Sequence, residues 1–313
     1  YLCYGNIPWP ESIYNEVSKI QPGSYICFSG GSIEYQKQYF SLKKHIIQSK
    51  EQSILDFDVG IDLLHSTLSN SVHQRMVSDV PLGAFLSGGT DSSLIVALMQ
   101  EQSNQDVKTF SIGFDTKEFD EASDARAVAK HLGTEHTELY VSSADSLSLV
   151  ENLGQIYDEP FADSSQIPTL LVSKLARKDV TVCLSGDGGD ELFSGYLRYR
   201  ATLDIWNVLK KIPFRRQIAK MLKKFPPRIL SLFLGFLKPI AFRYGREGSV
   251  AQKLTRFIGY MDASSIDDLY TKSIRHWENA ATVVKGGHFK YQRDHGADFT
   301  NFHEKMLYMD SID

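Results

Sequence analysis

Leu86-Ser87-Gly88-Gly89-Thr90-Asp91-Ser92-Ser93 sets a glycine turn, hydroxyls and a carboxylate where the apolar pattern of the chain changes period. Val80-Pro81-Leu82-Gly83-Ala84-Phe85-Leu86 predicts a short buried strand before it, and Leu94-Ile95-Val96-Ala97-Leu98-Met99 predicts the apolar face of a helix beginning near Asp91. The loop therefore occupies a helix N-terminus. Unpaired N–H groups and the positive end of the helix dipole favour an anion there, and glycines without Cβ let phosphate oxygens approach the main chain. Asp91 would repel a bare phosphate, which calls for a bridging Mg²⁺. A plain turn is the alternative, and the chain contains its own comparison. Phe28-Ser29-Gly30-Gly31-Ser32 repeats the tripeptide between Tyr25-Ile26-Cys27-Phe28 and Ile33-Glu34-Tyr35, two runs rich in strand formers, which predicts a hairpin with no helix terminus.

A second cluster follows a second apolar run. Val180-Thr181-Val182-Cys183-Leu184 predicts a buried strand leading into Ser185-Gly186-Asp187-Gly188-Gly189-Asp190-Glu191-Leu192-Phe193-Ser194-Gly195-Tyr196. Carboxylates packed this closely repel one another unless solvent or a cation offsets the charge. The ligand spacing of an EF-hand is missing, so the choice lies between an acidic turn and Mg²⁺ coordination beside the first loop. Strand ends after Leu86 and after Leu184 on one parallel sheet would open into the same crevice.

Neither Gly-x-x-x-x-Gly-Lys-Ser/Thr nor a strand-linked Gly-x-Gly-x-x-Gly occurs in the chain. Ser-Gly-Gly-x-Asp-Ser after an apolar strand resembles instead the PP-loop of ATP pyrophosphatases, which cleave ATP between the α and β phosphates and transfer AMP to a carboxylate or carbonyl oxygen. Further motifs stand in order along the chain: Pro81-Leu82-Gly83, Thr109-Phe110-Ser111-Ile112-Gly113-Phe114, Phe119-Asp120-Glu121-Ala122, His131-Leu132-Gly133-Thr134, Glu135-His136-Thr137-Glu138, Tyr157-Asp158-Glu159-Pro160-Phe161-Ala162-Asp163 and the 185–196 cluster. Together they resemble glutamine-dependent asparagine synthetase of the B type, over nearly the whole chain and most densely at 81–199.

The resemblance implies an α/β fold: a parallel five-stranded sheet with flanking helices from about Leu55 to Asp190, then a mostly helical region to Asp313. Residues 1–50 would be the β-rich end of a glutaminase domain, and 51–313 the synthetase domain, shortened at its C-terminal end and carrying a basic helical insert at 203–260. In the family one domain releases ammonia from glutamine and the other adenylates the aspartate side chain for ammonia to attack. Ser87, Gly88, Gly89, Asp91 and Ser92 map onto the pyrophosphate cradle. Leu86, Ile112 and Gly186 map onto main chain that holds adenine, and Ser185 joins the ATP site. Asp91 and Asp190 map onto Mg²⁺ ligands. Asp187 stands where several members have a glutamate that takes a proton from ammonia, one methylene longer.

The family's glutaminase nucleophile is a cysteine at the first residue, whose free amino group acts as base. Here Tyr1 is first, and the nitrogen of Cys3 is a peptide amide without basicity, so Cys3 is not expected to be a nucleophile. After Tyr308-Met309-Asp310-Ser311-Ile312-Asp313 the family continues into a Leu-Pro-Asp-Asp segment and an active-site lysine, so the sequence reads as an internal piece of a longer enzyme. Phe161-Ala162-Asp163-Ser164-Ser165-Gln166 lacks the arginine that some asparagine synthetases offer to an α-carboxylate. Aspartate is the expected acceptor, with a sugar acid or nucleotide sugar of surface-polysaccharide synthesis as the alternative.

With 313 residues the chain can bury a sizeable core, and a net charge of −4 argues against a nucleic-acid partner. The expected partners are small molecules (aspartate, ammonia, glutamine), with a homodimer left open. Cys3, Cys27 and Cys183 lack Cys-x-x-Cys spacing and read as reduced thiols of a cytoplasmic protein. No signal peptide is read at Tyr1, and the apolar run at 229–237 is about half a membrane span. His65, His73, His276, His288, His295 and His303 show no metal-ligand spacing. The paired cysteines of a tRNA sulfur transferase are missing, and intact Asp91 and Asp190 speak against a non-catalytic nucleotide-binding protein. Residues 206–246 contain many Lys and Arg and no Asp or Glu, interrupted by Pro213, Pro226-Pro227 and Pro239. The basic amphipathic pattern at 208–224 fits either a helix packed on protein with a solvated basic face, the favoured reading, or one lying on an anionic membrane.

Overall fold

The computed structural model describes residues 1–50, 54, 56–115, 120–226, 250–277, 283–284, 299 and 301–312. Outside them lie Leu55, Phe119, Pro227, the apolar run at 229–237, Pro239, His288, His295, Asp313 and positions 227–249 of the basic segment. The chain divides into two compact units: Ser41–Asp190, and Tyr1–Phe40 together with Glu191–Asp313.

The first unit is built on four parallel strands, β3 (Leu82–Phe85), β4 (Lys108–Phe114), β5 (Glu135–Val141) and β6 (Val182–Leu184), in the order β5-β4-β3-β6. The expectation of five strands is corrected to four among the described residues. Of the runs between β5 and β6, three form α-helix: Ser142 caps and boxes α5 (Ser143–Ser148) with Asp145, α6 (Leu153–Ile156) is a single turn, and α7 (Gln166–Ala176) admits Pro168 in its first turn, where no N–H is needed. Alternation along the strands sends side chains to two layers. Ala84 and Leu86 join Val72 of α2 (Phe57–Met76), Val96 and Met99 of α3 (Thr90–Gln102) and Ala125 and Ala129 of α4 (Ala122–Leu132) in one core. Phe110 packs with Leu175, Ala176 and Val180 in another. Alanines on α4 bring its backbone close to the sheet, and this closeness shapes the first loop.

The second unit contains the hairpin of β1 (Ser24–Ser29) and β2 (Ser32–Gln38), whose register pairs Ser29 with Ser32 across Gly30-Gly31. Both glycines have positive φ, 57° and 82°, as a two-residue hairpin turn demands, so the first Ser-Gly-Gly copy is the expected hairpin. Among the described residues the unit also contains the helices α9 (Leu197–Leu209), α10 (Arg215–Leu222), α11 (Val250–Met261), α12 (Ile266–Ile274) and α13 (Phe302–Ser311). Ile212, Ile218 and Leu222 pack on a core of Leu209, Ala219, Phe257, Ile258 and Leu269, so the basic amphipathic stretch buries part of its apolar surface against protein. Among the described residues no helix is long and apolar enough to cross a membrane.

Candidate active site

The strand-to-helix loop forms as the sequence predicts. β3 ends at Phe85, the buried Leu86 donates its N–H to the carbonyl of Phe110 at 3.0 Å, and α3 starts at Thr90. Within the loop the hydroxyls of Ser87 and Ser92 lie 2.9 Å apart. Ser92 Oγ accepts from the N–H of Ser87 at 3.2 Å and Ser87 Oγ accepts from the N–H of Gly89 at 3.3 Å. Gly88 has φ of 84°, and a Cβ there would fall 2.6 Å from the backbone nitrogen of Ala125. Only a residue without Cβ fits between the loop and α4.

The 185–190 loop comes to the same place. Pairing of Leu82, Gly83 and Ala84 with Val182, Cys183 and Leu184 sets the ends of β3 and β6 side by side, as two strands opening into one crevice require. A Cβ on Gly186 would lie 2.7 Å from the amide nitrogen of Ser92, and one on Gly189 would lie 2.5 Å from Oδ2 of Asp91. The two loops are thus in backbone-to-backbone apposition, with the Asp91 carboxylate against the residue preceding Asp190. Asp187 is exposed, and the Ser185 hydroxyl donates to its Oδ2 at 2.9 Å. Ile112 is half-buried on β4, two residues beyond the carbonyl that accepts from Leu86.

Among the described residues no three His, Cys, Asp or Glu side chains are grouped to hold a metal by themselves. Two carboxylates on apposed loops at the N-terminus of α3 fit Mg²⁺, which binds one or two carboxylates together with substrate phosphates and water. The glycine-lined cradle fits a polyphosphate by its close packing: a Cβ on Gly88 or Gly186 would meet main chain, and one on Gly189 would meet the Asp91 carboxylate.

The Tyr157–Gln166 loop is closed on itself. Tyr157 OH donates to the carbonyl of Gln166 at 3.0 Å, and its ring meets Phe161 edge-on at 4.8 Å. Two features carry little signal in the sequence. Gly189 is one glycine of several until its approach to Asp91 is seen. His136 emerges only from the β4–β5 register, which pairs Thr109 with His136 and Ser111 with Glu138. Nδ1 of His136 lies 2.9 Å from Thr109 Oγ1 and Nε2 lies 3.2 Å from Ser111 Oγ. Burial holds His136 below the usual imidazole pKa, with Arg126 acting in the same direction and Glu138 against it. Hydrogen bonding from Arg126 holds the Glu138 carboxyl below its ordinary range. Knowing that β4 and β5 are parallel neighbours would have put all four side chains on one face. Burial pushes the Cys183 thiol up to about 11, and Cys3 and Cys27 are likewise free thiols, Cys3 buried.

Residues 63–311 match the family model described as asparagine synthase. The chain is similar to a putative asparagine synthetase (glutamine-hydrolysing) 2 of Methanocaldococcus jannaschii, 41% identical over 201 residues, 64% of this chain and 38% of the relative. It is also similar to asparagine synthetase (glutamine-hydrolysing) 1 of Bacillus subtilis, 36% identical over 206 residues, 66% of this chain and 31% of the relative. Asparagine synthetase B of Escherichia coli is 27% identical over 204 residues, 58% of this chain and 34% of the relative. The chain spans about a third of the length of these relatives. A family match over most of the chain agrees with the parallel sheet and the motif-bearing loops: the chain belongs to the asparagine synthase family.

Proposed function

We propose that the protein amidates the side chain of aspartate with ammonia, forming asparagine and splitting ATP to AMP and pyrophosphate. The observation that carries this reading is the apposition of the 87–92 and 185–190 loops through Gly186 against Ser92 and Gly189 against Asp91. A carboxylate oxygen of aspartate attacks the α-phosphorus and the bond to pyrophosphate breaks. Ammonia then attacks the resulting β-aspartyl-AMP, AMP departs with the bonding electrons, and the ammonium proton passes to Asp187. The loop of Ser87, Gly88, Gly89 and Ser92 at the N-terminus of α3 holds the departing pyrophosphate, while main chain at Leu86, Ile112 and Gly186, with Ser185, holds the nucleoside. Ser185 occupies one oxygen of Asp187 and leaves Oδ1 to receive the proton. Mg²⁺ held by Asp91 and Asp190 would offset charge on the polyphosphate.

Residues 1–50 belong in this reading to a glutaminase domain that supplies the ammonia, and 51–313 to the synthetase domain. Three free thiols accord with a reducing, cytoplasmic setting. The names of the relatives favour aspartate over a carboxylated sugar. The test is pyrophosphate release by the full-length protein with ATP, Mg²⁺ and ammonia. Aspartate should stimulate it and asparagine should accumulate. Stimulation by a sugar acid or nucleotide sugar, with none by aspartate, would replace the acceptor. Asp187→Ala should lose amide product while retaining adenylation, and loss of both would move Asp187 into the nucleotide site.

A further inference from the structure

Residues 206–246 hold eleven Lys and Arg and no Asp or Glu, in a chain whose formal net charge is −4. In the described part, packing and pairing account for some of these side chains. Ile212, Ile218 and Leu222 are spent on the helical core, Arg215 donates to the carbonyl of Met261 at 2.6 Å, and Lys223 pairs with Asp262 at 3.2 Å. They do not account for the remainder. Phe214, Met221 and Phe225 are 75%, 55% and 48% exposed. Lys210, Lys211, Arg216, Lys220 and Lys224 are exposed around them and make no ion pair with a described residue. Met221 lies in the last turn of α10, and Phe225 lies in the turn that follows it. Phe214 precedes α10 at its other end, in a left-handed conformation (φ 53°) that an aromatic residue seldom adopts, with Lys210 and Lys211 before it and Arg216 after it.

We propose that the exposed surface of α10 and the turns flanking it docks on an anionic lipid bilayer. Large apolar side chains presented to water among unpaired cations match both layers of such a surface: acyl boundary for Phe214, Met221 and Phe225, headgroup phosphate for the lysines and arginine. A nucleic acid would satisfy the cations and leave Met221 without a partner. This surface would lie at the membrane interface whichever carboxylate the protein amidates.

The experiment is co-sedimentation of the full-length protein with vesicles of phosphatidylcholine alone and with vesicles of phosphatidylcholine and phosphatidylglycerol. The bound fraction should be at least about tenfold higher on the anionic vesicles and fall with added salt. Lys210→Glu with Lys211→Glu should abolish that preference. Phe214→Asn, Met221→Ser and Phe225→Ser together should weaken binding about tenfold at unchanged net charge; all three side chains are exposed, and asparagine tolerates the left-handed backbone. Phe214→Trp should add blue-shifted fluorescence only with anionic vesicles. Equal sedimentation with both vesicle types, no sedimentation with either, or anionic binding untouched by the apolar triple variant would each overturn the proposal. So would retention of single-stranded RNA by a protein that leaves the vesicles unbound.

Discussion

Gly189 is held so close to Asp91 that a methyl group on its Cα would fall 2.5 Å from the carboxylate oxygen Oδ2 and 2.6 Å from Cγ. The contact fixes where the Asp91 carboxylate can lie and ties the first loop to the second. Gly189→Ala forces that carboxylate to turn away without touching a hydrophobic core. The half-saturating Mg²⁺ concentration for pyrophosphate release should rise about tenfold or more, as when a neighbour that orients a metal ligand is changed. Magnesium titrations of the full-length wild type and variant check this, and superimposable curves would dissociate Gly189 from the metal site.

The two Ser-Gly-Gly copies provide an internal control. Gly30 and Gly88 are the first glycines of each copy and both have positive φ, 57° and 84°. A Cβ at Gly30 meets nothing within 4 Å, whereas one at Gly88 lies 2.6 Å from the nitrogen of Ala125 and 2.7 Å from the carbonyl carbon of Asp124. Gly30→Ala should therefore cost only the backbone strain, about 1 kcal/mol, and leave turnover unchanged. Gly88→Ala adds a clash with main chain that cannot swing aside. It should destabilise further and lower pyrophosphate release by about 100-fold, since displacements near 1 Å suffice for that. Equal losses in the two variants would contradict the assignment of different roles to the two copies.

Asp310 of α13 organises the helical unit. Its carboxylate, 7% exposed, accepts from Nε of Arg198 at 3.0 Å, from Tyr199 OH at 2.9 Å and from Tyr270 OH, while the Arg198 guanidinium stacks 3.7 Å from the centre of the Tyr196 ring. Burial and the neighbouring carboxylate both push the two tyrosine hydroxyls above their ordinary range, so they stay protonated donors. Asp310→Ala leaves a cation and two buried hydroxyls without their acceptor. The expected loss is about 3 kcal/mol, at the low end for a broken buried pair because Arg198 keeps some solvent. Urea unfolding measures it, and a loss below about 1 kcal/mol would demote the cluster to a surface-like pair.

The first loop and the β1–β2 hairpin were legible because their signals are local. A period change from strand to helix at Leu86, glycines at the turn and strand formers around Gly30-Gly31 each act over a few residues, and the structure follows them to within two or three positions. The number of strands was not legible, because a short run such as Val182–Leu184 says nothing about what pairs on its far side. His136 was hidden for the same reason: its partners Thr109 and Ser111 are 27 and 25 residues away and meet it only through parallel register. Asp310 pairs across more than 100 residues with side chains that periodicity marks only as helical. The basic segment could be read in two ways because amphipathicity reports that a face is apolar without reporting what covers it.

The His136 network makes stability depend on pH in a direction that can be stated. Burial, the largest cause, and Arg126 keep the folded pKa below the ordinary value of about 6.5, with Glu138 opposing them. Between the folded pKa and about 6.5 the unfolded chain binds the extra proton, so stability rises with pH in that window. The contribution is present in full above about pH 6.5 and is lost as pH falls through the folded pKa. Glu138 remains charged throughout, its own pKa being lowered first by the hydrogen bond from Arg126. His136→Gln keeps a polar side chain beside Thr109 and Ser111 and removes the titration. Unfolding free energies of wild type and variant, measured from about pH 7.5 down to about pH 5, should therefore converge on acidification, with the wild type losing its advantage. A difference that stays constant would mean that His136 has the same pKa folded and unfolded, and one that widens toward acid would mean that Glu138 outweighs burial in the folded protein.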